Sequence, residues 1–396
     1  MGKFLFSGEE KLYLRGVTYG PFHPDERGCQ YGDPESVEHD FACMASLGIN
    51  AIRTYTPPPV WVLDAAWRHG LRVMLGIPWE QHIAFLESVK TADAIEMRIR
   101  RTVRLLAGHP AVLCYTIGNE IPASIVRWHG RQKIERFLER LYLASKEEDP
   151  TSLVTYVNFP TTEYLDLDFL DFFSFNVYLE QQDRLAAYLA RLQTLAGNRP
   201  LLLAEVGLDS RRNGMDHQAA ALAWQIRTVF SSGCCGMFVF AWTDEWSRGG
   251  FEIDDWDFGL TSRDRRPKPA LRAVENAYLN APFPESPFPV SDAWPRISVV
   301  ICSYNGQRTI RQTISECLKS NYPNFEVIVV DDGSKDRTGE IAGAFLDVRL
   351  VSVPNGGLSA ARNIGMKAAT GEIIAYIDDD AYPDPHWLHY LASAFR

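Results

Sequence analysis

Along roughly the first 280 positions, short apolar runs alternate with amphipathic stretches in which apolar residues recur every three or four places. The strand-like runs fall at 13–19, 51–56, 72–77, 112–117, 153–158, 172–177, 201–205 and 236–242. Helical periodicity falls between them, most clearly at 34–47, 94–107, 131–146, 183–196 and 216–231. Eight strand–helix pairs in about 280 residues predict one closed (β/α)8 TIM barrel rather than two open sheets. The pattern breaks at 281–295, where five prolines in fifteen residues forbid a helix and predict an extended spacer. Beyond it, apolar runs at 297–303, 326–330, 349–353 and 373–377 are each followed by a helical stretch. They predict the first half of a doubly wound α/β domain. The expected organisation is therefore a barrel over 1–280, a linker over 281–295 and a partial nucleotide-binding-type domain over 296–396.

Composition narrows the chemistry. The 396 residues carry 40 Lys and Arg against 50 Asp and Glu, a net charge of −10, so no basic field exists to hold nucleic acid or an anionic membrane surface. The seven cysteines, at 29, 43, 114, 234, 235, 302 and 317, lack metal-ligand spacing and sit in a chain too large to need disulfide staples, which predicts a reducing compartment. No run approaches the ~18 apolar residues of a membrane span. A soluble, cytoplasmic chain is the expectation, with membrane attachment of a longer parent protein left open.

In a (β/α)8 barrel the chemistry sits at the C-terminal ends of the strands. The fourth run ends in Gly118, Asn119 and Glu120, and the seventh in Ala204 and Glu205. An acid that terminates an apolar barrel strand has no core reason to be there. Two facing carboxylates are what glycoside hydrolysis needs, one protonated to serve the leaving oxygen and one ionised to attack the anomeric carbon.

These residues resemble the retaining glycoside hydrolases of the large (β/α)8 clan, especially the barrel domain of the family 2 hydrolases, which include β-galactosidases and β-glucuronidases. The resemblance runs over most of 12–280. It implies Glu120 as acid/base, Asn119 as partner of the sugar 2-hydroxyl and Glu205 as nucleophile. Arg53, in the segment 50–55, would orient the nucleophile, and Tyr178, in the strand-six segment 174–178 with Asn176, would hydrogen-bond it. Trp242, in Phe240-Ala241-Trp242, would floor the sugar site, and the segment 259–270 is similar to the one that closes family 2 barrels. Trp79, Trp246 and Trp256 read as core residues, and His23 and His82 as polar rim. Asp244, Glu245, Asp254, Asp255 and Asp257 read as a solvated acidic loop. Because the first strand begins within about a dozen residues, no counterpart of the β-sandwich modules that precede the barrel in family 2 hydrolases is expected in this sequence.

The second region carries Ser303-Tyr304-Asn305, then Asp331-Asp332-Gly333-Ser334, then Arg362-Asn363, then Asp378-Asp379-Asp380. An apolar strand ending in aspartates offers hard oxygen ligands to Mg2+ or Mn2+, which would neutralise a diphosphate. The four motifs in this order resemble the family 2 glycosyltransferases of the A fold, which use nucleotide diphosphate sugars. The resemblance implies that Asp332, with Ser303 and Asn305, holds the nucleoside, that Asp378 and Asp380 form the metal and diphosphate site, and that Arg362 lies near the donor. Family members need about a hundred further residues for the acceptor wall and catalytic base, so the chain is expected to be part of a longer barrel-plus-transferase protein and inactive as a transferase by itself.

The expected function is a retaining β-glycosidase or transglycosidase acting on an oligo- or polysaccharide, joined to a nucleotide-sugar-dependent transferase region. No cofactor is expected for the barrel. The alternative is a carbohydrate-binding barrel that guides glycan to the transferase without turning it over.

Overall fold

The computed structural model describes residues 2–283 and 294–395. The chain divides into two compact units, 1–284 and 285–396, each treated by itself below. Most of the Pro-rich stretch expected as a linker lies outside the described residues.

The first unit is a closed barrel of eight parallel strands: β1 (Leu14–Thr18), β2 (Ala51–Thr54), β3 (Arg72–Gly76), β4 (Val112–Asn119), β5 (Leu153–Asn158), β6 (Phe173–Asn176), β7 (Leu201–Val206) and β8 (Gly236–Val239). Closure comes from β8 pairing in parallel with β1, Gly236 opposite Leu14 and Val239 opposite Val17. Alternation along each strand sorts two cores. Ala51, Met74, Cys114, Leu202, Ala204 and Phe238 belong to one buried cluster inside the ring, while Ile52, Val73, Leu75, Tyr115 and Leu203 belong to the cluster that includes the helices. The inner layer is tight: a Cβ at Gly16 would lie 2.3 Å from the Phe238 ring, so β1 needs glycine there.

Two local features tie sequence to element boundaries. Helix Pro34–Ser46 starts where Asp33 accepts from the amides of Glu35 and Ser36, both at 3.0 Å, with Pro34 in the first turn. Helix Val89–Leu106 begins five residues before the expected 94, because the Ser88 side chain caps its first turn through the Thr91 amide and its buried stripe starts at Ala92. The last barrel strand ends at Val239, short of the expected 242.

Breaks in pairing register occur on the strands that carry the acids. Between β6 and β7, Phe175 pairs with Leu203 but Asn176 with Glu205, so one residue of β7 is skipped. Between β4 and β5, Thr116 pairs with Thr155 and Asn119 with Val157. An extra residue in one strand re-aims the side chains that follow it, here at the C-terminal rim.

The acidic loop after β8 is not simply solvated. Asp244 is buried, accepting from Lys268 Nζ at 3.0 Å and from the Gly259 amide at 2.7 Å, which pins the chain after β8 to the residue just before helix Pro269–Asn280. Glu245 pairs with Arg265 at 2.5 Å and Asp257 with Arg263 at 2.8 Å, while Asp254 and Asp255 are exposed. A buried ion pair persists only where hydrogen bonds satisfy both partners, which a sequence pattern does not show.

The second unit holds a four-stranded parallel sheet: β9 (Ile297–Ser303), β10 (Phe325–Asp331), β11 (Val348–Ser352) and β12 (Ile373–Asp378), in the order β11-β10-β9-β12. The central pair β9 and β10 is almost fully buried, as expected of near-continuous Val and Ile runs covered on both faces.

Candidate active site

The side chains singled out at the barrel strand ends converge on one cavity of about 820 Å³. Arg53, from β2, is buried beneath it. Its Nη1 donates to Glu205 Oε1 at 2.7 Å and to the Ala204 carbonyl at 2.7 Å, and its Nη2 donates to Asn119 Oδ1 at 2.7 Å. Glu205 receives more donors: Tyr55 Oη to Oε1 at 2.6 Å, Asn176 Nδ2 to Oε1 at 2.8 Å and Tyr178 Oη to Oε2 at 2.7 Å. Charge-assisted bonds of this kind are shorter and stronger than neutral ones and fix the carboxylate in place. Three donors crowd Oε1, leaving Oε2, held by Tyr178 alone, as the less encumbered oxygen.

Glu120 is held differently. Its φ of +53° is a left-handed conformation that non-glycine residues seldom adopt. The backbone there is pinned by the Glu120 amide donating to Val157 O at 2.9 Å and the Ile121 amide donating to Tyr156 Oη at 2.8 Å. The Glu120 carboxylate accepts from Asn176 Nδ2 at 2.9 Å. Burial and the nearby charge of Glu205 push its carboxyl above the usual glutamate range, against the opposing pull of Asn176 and Arg53. Burial likewise raises Tyr55 and Tyr178, keeping both phenols protonated as donors.

One distance follows without being measured directly. Glu120 Oε1 and Glu205 Oε1 lie 2.9 and 2.8 Å from the same Asn176 nitrogen, so they are at most about 5.7 Å apart. Retaining glycosidases place their carboxyl groups ~5 to 5.5 Å apart and inverting ones ~6.5 to 9.5 Å apart. The bound fits the shorter class.

The sugar-facing wall differs from the expectation. Trp242 is 2% exposed, belongs to the buried core cluster, has no partner for its Nε1 and does not line the cavity. Phe240, two residues earlier and outside the last strand, lines the cavity instead. Its ring packs 4.8 Å from Trp246, 5.5 Å from Phe258 and 5.7 Å from Trp256 between centroids. Trp79, Trp246 and Trp256, expected as core, also line the cavity, as does His82, whereas His23 is exposed outside it. Tyr55, Gln81 and Arg248 were not anticipated. Gln81 brackets Asn119, accepting from its amide at 3.0 Å and donating to its carbonyl. The only signal for Tyr55 was its place two residues after Arg53, and Gln81 and Arg248 lie on loops with no periodic pattern.

In the second unit the expected residues gather at the carboxyl edge of the sheet, several of them in roles of their own. Asp332 is buried and accepts from the amides of Gly356 and Gly357, both at 2.8 Å, clamping the turn before helix Leu358–Ala368. Asn305 bridges two loops, its amide donating to Ser334 Oγ at 2.9 Å and its side chain accepting from the Lys335 amide at 2.8 Å. Ser303 Oγ donates to Asp379. Asp378 pairs with Arg362 at 3.3 Å, and Asp380 is exposed. The aspartate triplet thus alternates, Asp379 turned inward and its two neighbours outward. Among the described residues no group of three or more His, Cys, Asp or Glu is preassembled around a metal position.

Comparison with known proteins defines the class. Residues 2–283 match the model for "Glycosyl hydrolases family 2, TIM barrel domain", and residues 298–396 match "Glycosyl transferase family 2". The chain belongs to the family 2 glycosyl hydrolases through its barrel and carries a family 2 glycosyltransferase domain after it. Among solved structures, the β-galacturonidase of Eisenbergiella tayi bound to galacturonate is similar at 20% identity and a TM-score of 0.61, over 71% of this chain and 53% of that one. The β-glucuronidase of Faecalibacterium prausnitzii is similar at 21% identity and a TM-score of 0.60, over 71% of this chain and 51% of that one. This likeness is one of fold. The C-terminal region is 37% identical over 89 residues to the Escherichia coli UDP-Glc:alpha-D-GlcNAc-diphosphoundecaprenol beta-1,3-glucosyltransferase WfaP, over 22% of this chain and 36% of that protein. It is 42% identical over 89 residues to glycosyltransferase GlyG of Streptococcus pneumoniae serotype 4, over 21% of this chain and 30% of that protein. The chain therefore spans about half the length of the similar structures and about a third of these curated relatives.

The Arg53 network makes a direct prediction. Arg53→Gln leaves the buried Glu205 carboxylate without its cation and should destabilise the barrel by about 3 to 5 kcal/mol, read by denaturant unfolding. Unchanged stability would mean that the tyrosines and Asn176 alone hold Glu205 in place.

Proposed function

We propose that the barrel is a retaining glycosidase or transglycosidase acting on a glycan. The observation that carries this reading is the sharing of the Asn176 amide between Glu120 and Glu205, with Arg53 bonded, of these two acids, to Glu205. Two carboxylates held close, one beside a buried cation and one pushed up by burial, divide into an ionised nucleophile and a protonated acid. Glu205 Oε2 attacks the anomeric carbon as Glu120 passes its proton to the departing glycosidic oxygen, leaving a glycosyl ester on Glu205. Glu120, now ionised, takes a proton from water or a sugar hydroxyl, which attacks the same carbon and releases Glu205. Tyr55, Tyr178 and Arg53 orient Glu205, Asn119 is placed for the sugar 2-hydroxyl, and Phe240 with Trp246 offers apolar ring faces to the sugar.

For the second unit we propose the donor-binding part of a nucleotide-sugar-dependent transferase. Asp378 and Asp380 suit Mg2+ or Mn2+, since both carboxylates face solvent and only one carries a protein partner. The cation would neutralise the diphosphate of the donor. Arg362, which reaches Asp378, is placed to meet the same charge, and the loops clamped by Asp332 and Asn305, with Ser303, would form the nucleoside wall.

Aryl β-glycosides of different sugars, with the first-formed product anomer read by NMR, test the barrel. The expected result is a β-configured product, with Glu120→Gln slowing turnover by about 10²- to 10⁴-fold for poor leaving groups and Glu205→Gln abolishing it. Activity should be lost as pH rises through the pKa of Glu120, a loss lying above the ordinary glutamate range. An inverted product overturns the mechanism, and glycan binding without turnover makes the barrel a binding module. For the second unit, calorimetry should show UDP binding that strengthens with Mn2+ and loses that dependence in Asp378→Asn/Asp380→Asn. Metal-independent binding would contradict the assignment.

A further inference from the structure

Among the described residues, four charged side chains line the barrel cavity: Arg53, Glu120, Glu205 and Arg248. Arg53 is committed to Glu205 and Asn119. With Glu120 protonated, Arg53 and Glu205 cancel, and the resting cavity carries one uncompensated cation, Arg248. That sign opposes the net charge of −10 on the whole chain, so a generally basic surface does not account for it.

Arg248 lies in the short hairpin formed by Ser247–Arg248 and Phe251–Glu252. The hairpin is fastened to the barrel by the Ser247 amide donating to Pro21 O at 3.0 Å, and closed at its base by the Ile253 amide donating to Trp246 O at 2.8 Å. Arg248 Nη2 lies 3.4 Å from His82 Nε2. A guanidinium has no acceptor, so the imidazole accepts and is neutral in this contact. Burial, helped by Arg248 itself, holds His82 below its ordinary pKa, consistent with that role. Among the described residues no carboxylate forms an ion pair with Arg248.

We propose that Arg248, steadied by His82, forms a subsite in the cavity that takes an anionic substituent, carboxylate or phosphoryl, on the glycan. The guanidinium fork matches either oxyanion bidentately, and Arg248 is exposed and open to an entering ligand. That the ligand is a glycan rests on the glycosidase reading, whereas anion capture does not.

The test is titration calorimetry of the full chain with glucuronate, glucose 6-phosphate, glucose and inorganic phosphate, in the wild type, Arg248→Gln and His82→Ala. At least one sugar anion should bind about tenfold or more tightly than glucose, the tighter of the two naming the source as carboxylate or phosphoryl. Arg248→Gln should erase that preference and His82→Ala should weaken it. Because the second unit could itself bind a phosphate, only the difference between wild type and Arg248→Gln counts. Equal binding of all sugars, a preference that survives Arg248→Gln, or inorganic phosphate binding as tightly as the sugar anions overturns the proposal. The product-anomer assay reads Glu120 and Glu205 separately: anion capture without turnover removes the glycosidase reading alone, and turnover without an Arg248-dependent preference removes the subsite alone.

Discussion

The buried contact between Arg53 and Glu205 organises the barrel end. Each charge alone would cost several kcal/mol to remove from water. Together, with further hydrogen bonds to Asn119, Asn176, Tyr55, Tyr178 and the Ala204 carbonyl, they form a fixed dipole at the floor of the cavity. The same contact separates the two acids. Arg53 lies against Glu205 but not Glu120, so one carboxylate has its charge balanced while the other is pushed toward its neutral form by burial and by its neighbour. Strand pairing supplies the precision, since the register breaks beside Asn176 and Glu205 and beyond Thr116 turn the functional side chains into the mouth.

Much of this was legible in the chain itself because barrel strands carry strong patterns. Eight buried runs of four to eight residues, each followed by an amphipathic stretch, left little choice of fold, and acids at the ends of apolar strands stood out at 120 and 205. Arg53, Asn119, Asn176 and Tyr178 could be named through the resemblance of their strand-end segments to the family 2 hydrolases. Loops carry no such period, so Gln81 and Arg248 could be placed only by the fold. Trp242 and Phe240 show a related limit: both are aromatic and two positions apart, and where the strand stops decides which meets the cavity and which the core. Asp244 went wrong because a cluster of acids resembles a solvated turn until a buried lysine 24 residues away is brought against it.

The two units use carboxylates in opposite ways. In the barrel both acids accept from Asn176, and Glu120 is pushed toward its neutral form by burial and by Glu205. At the edge of the second sheet, Asp378 and Asp380 are exposed, and Asp378 pairs with Arg362. Asp332, which from its motif alone was assigned to the nucleoside, spends both carboxylate oxygens on the Gly356–Gly357 amides, so its contribution to a donor site runs through the loop it shapes.

The central claim is that Glu205 is the nucleophile of a double displacement. Incubation with activated 2-fluoro glycosides, followed by mass spectrometry of the peptide containing Glu205, tests it directly. The account predicts a covalent glycosyl ester on Glu205, absent in Glu205→Gln. A substrate that turns over while its 2-fluoro analogue labels another residue, or none, would contradict it.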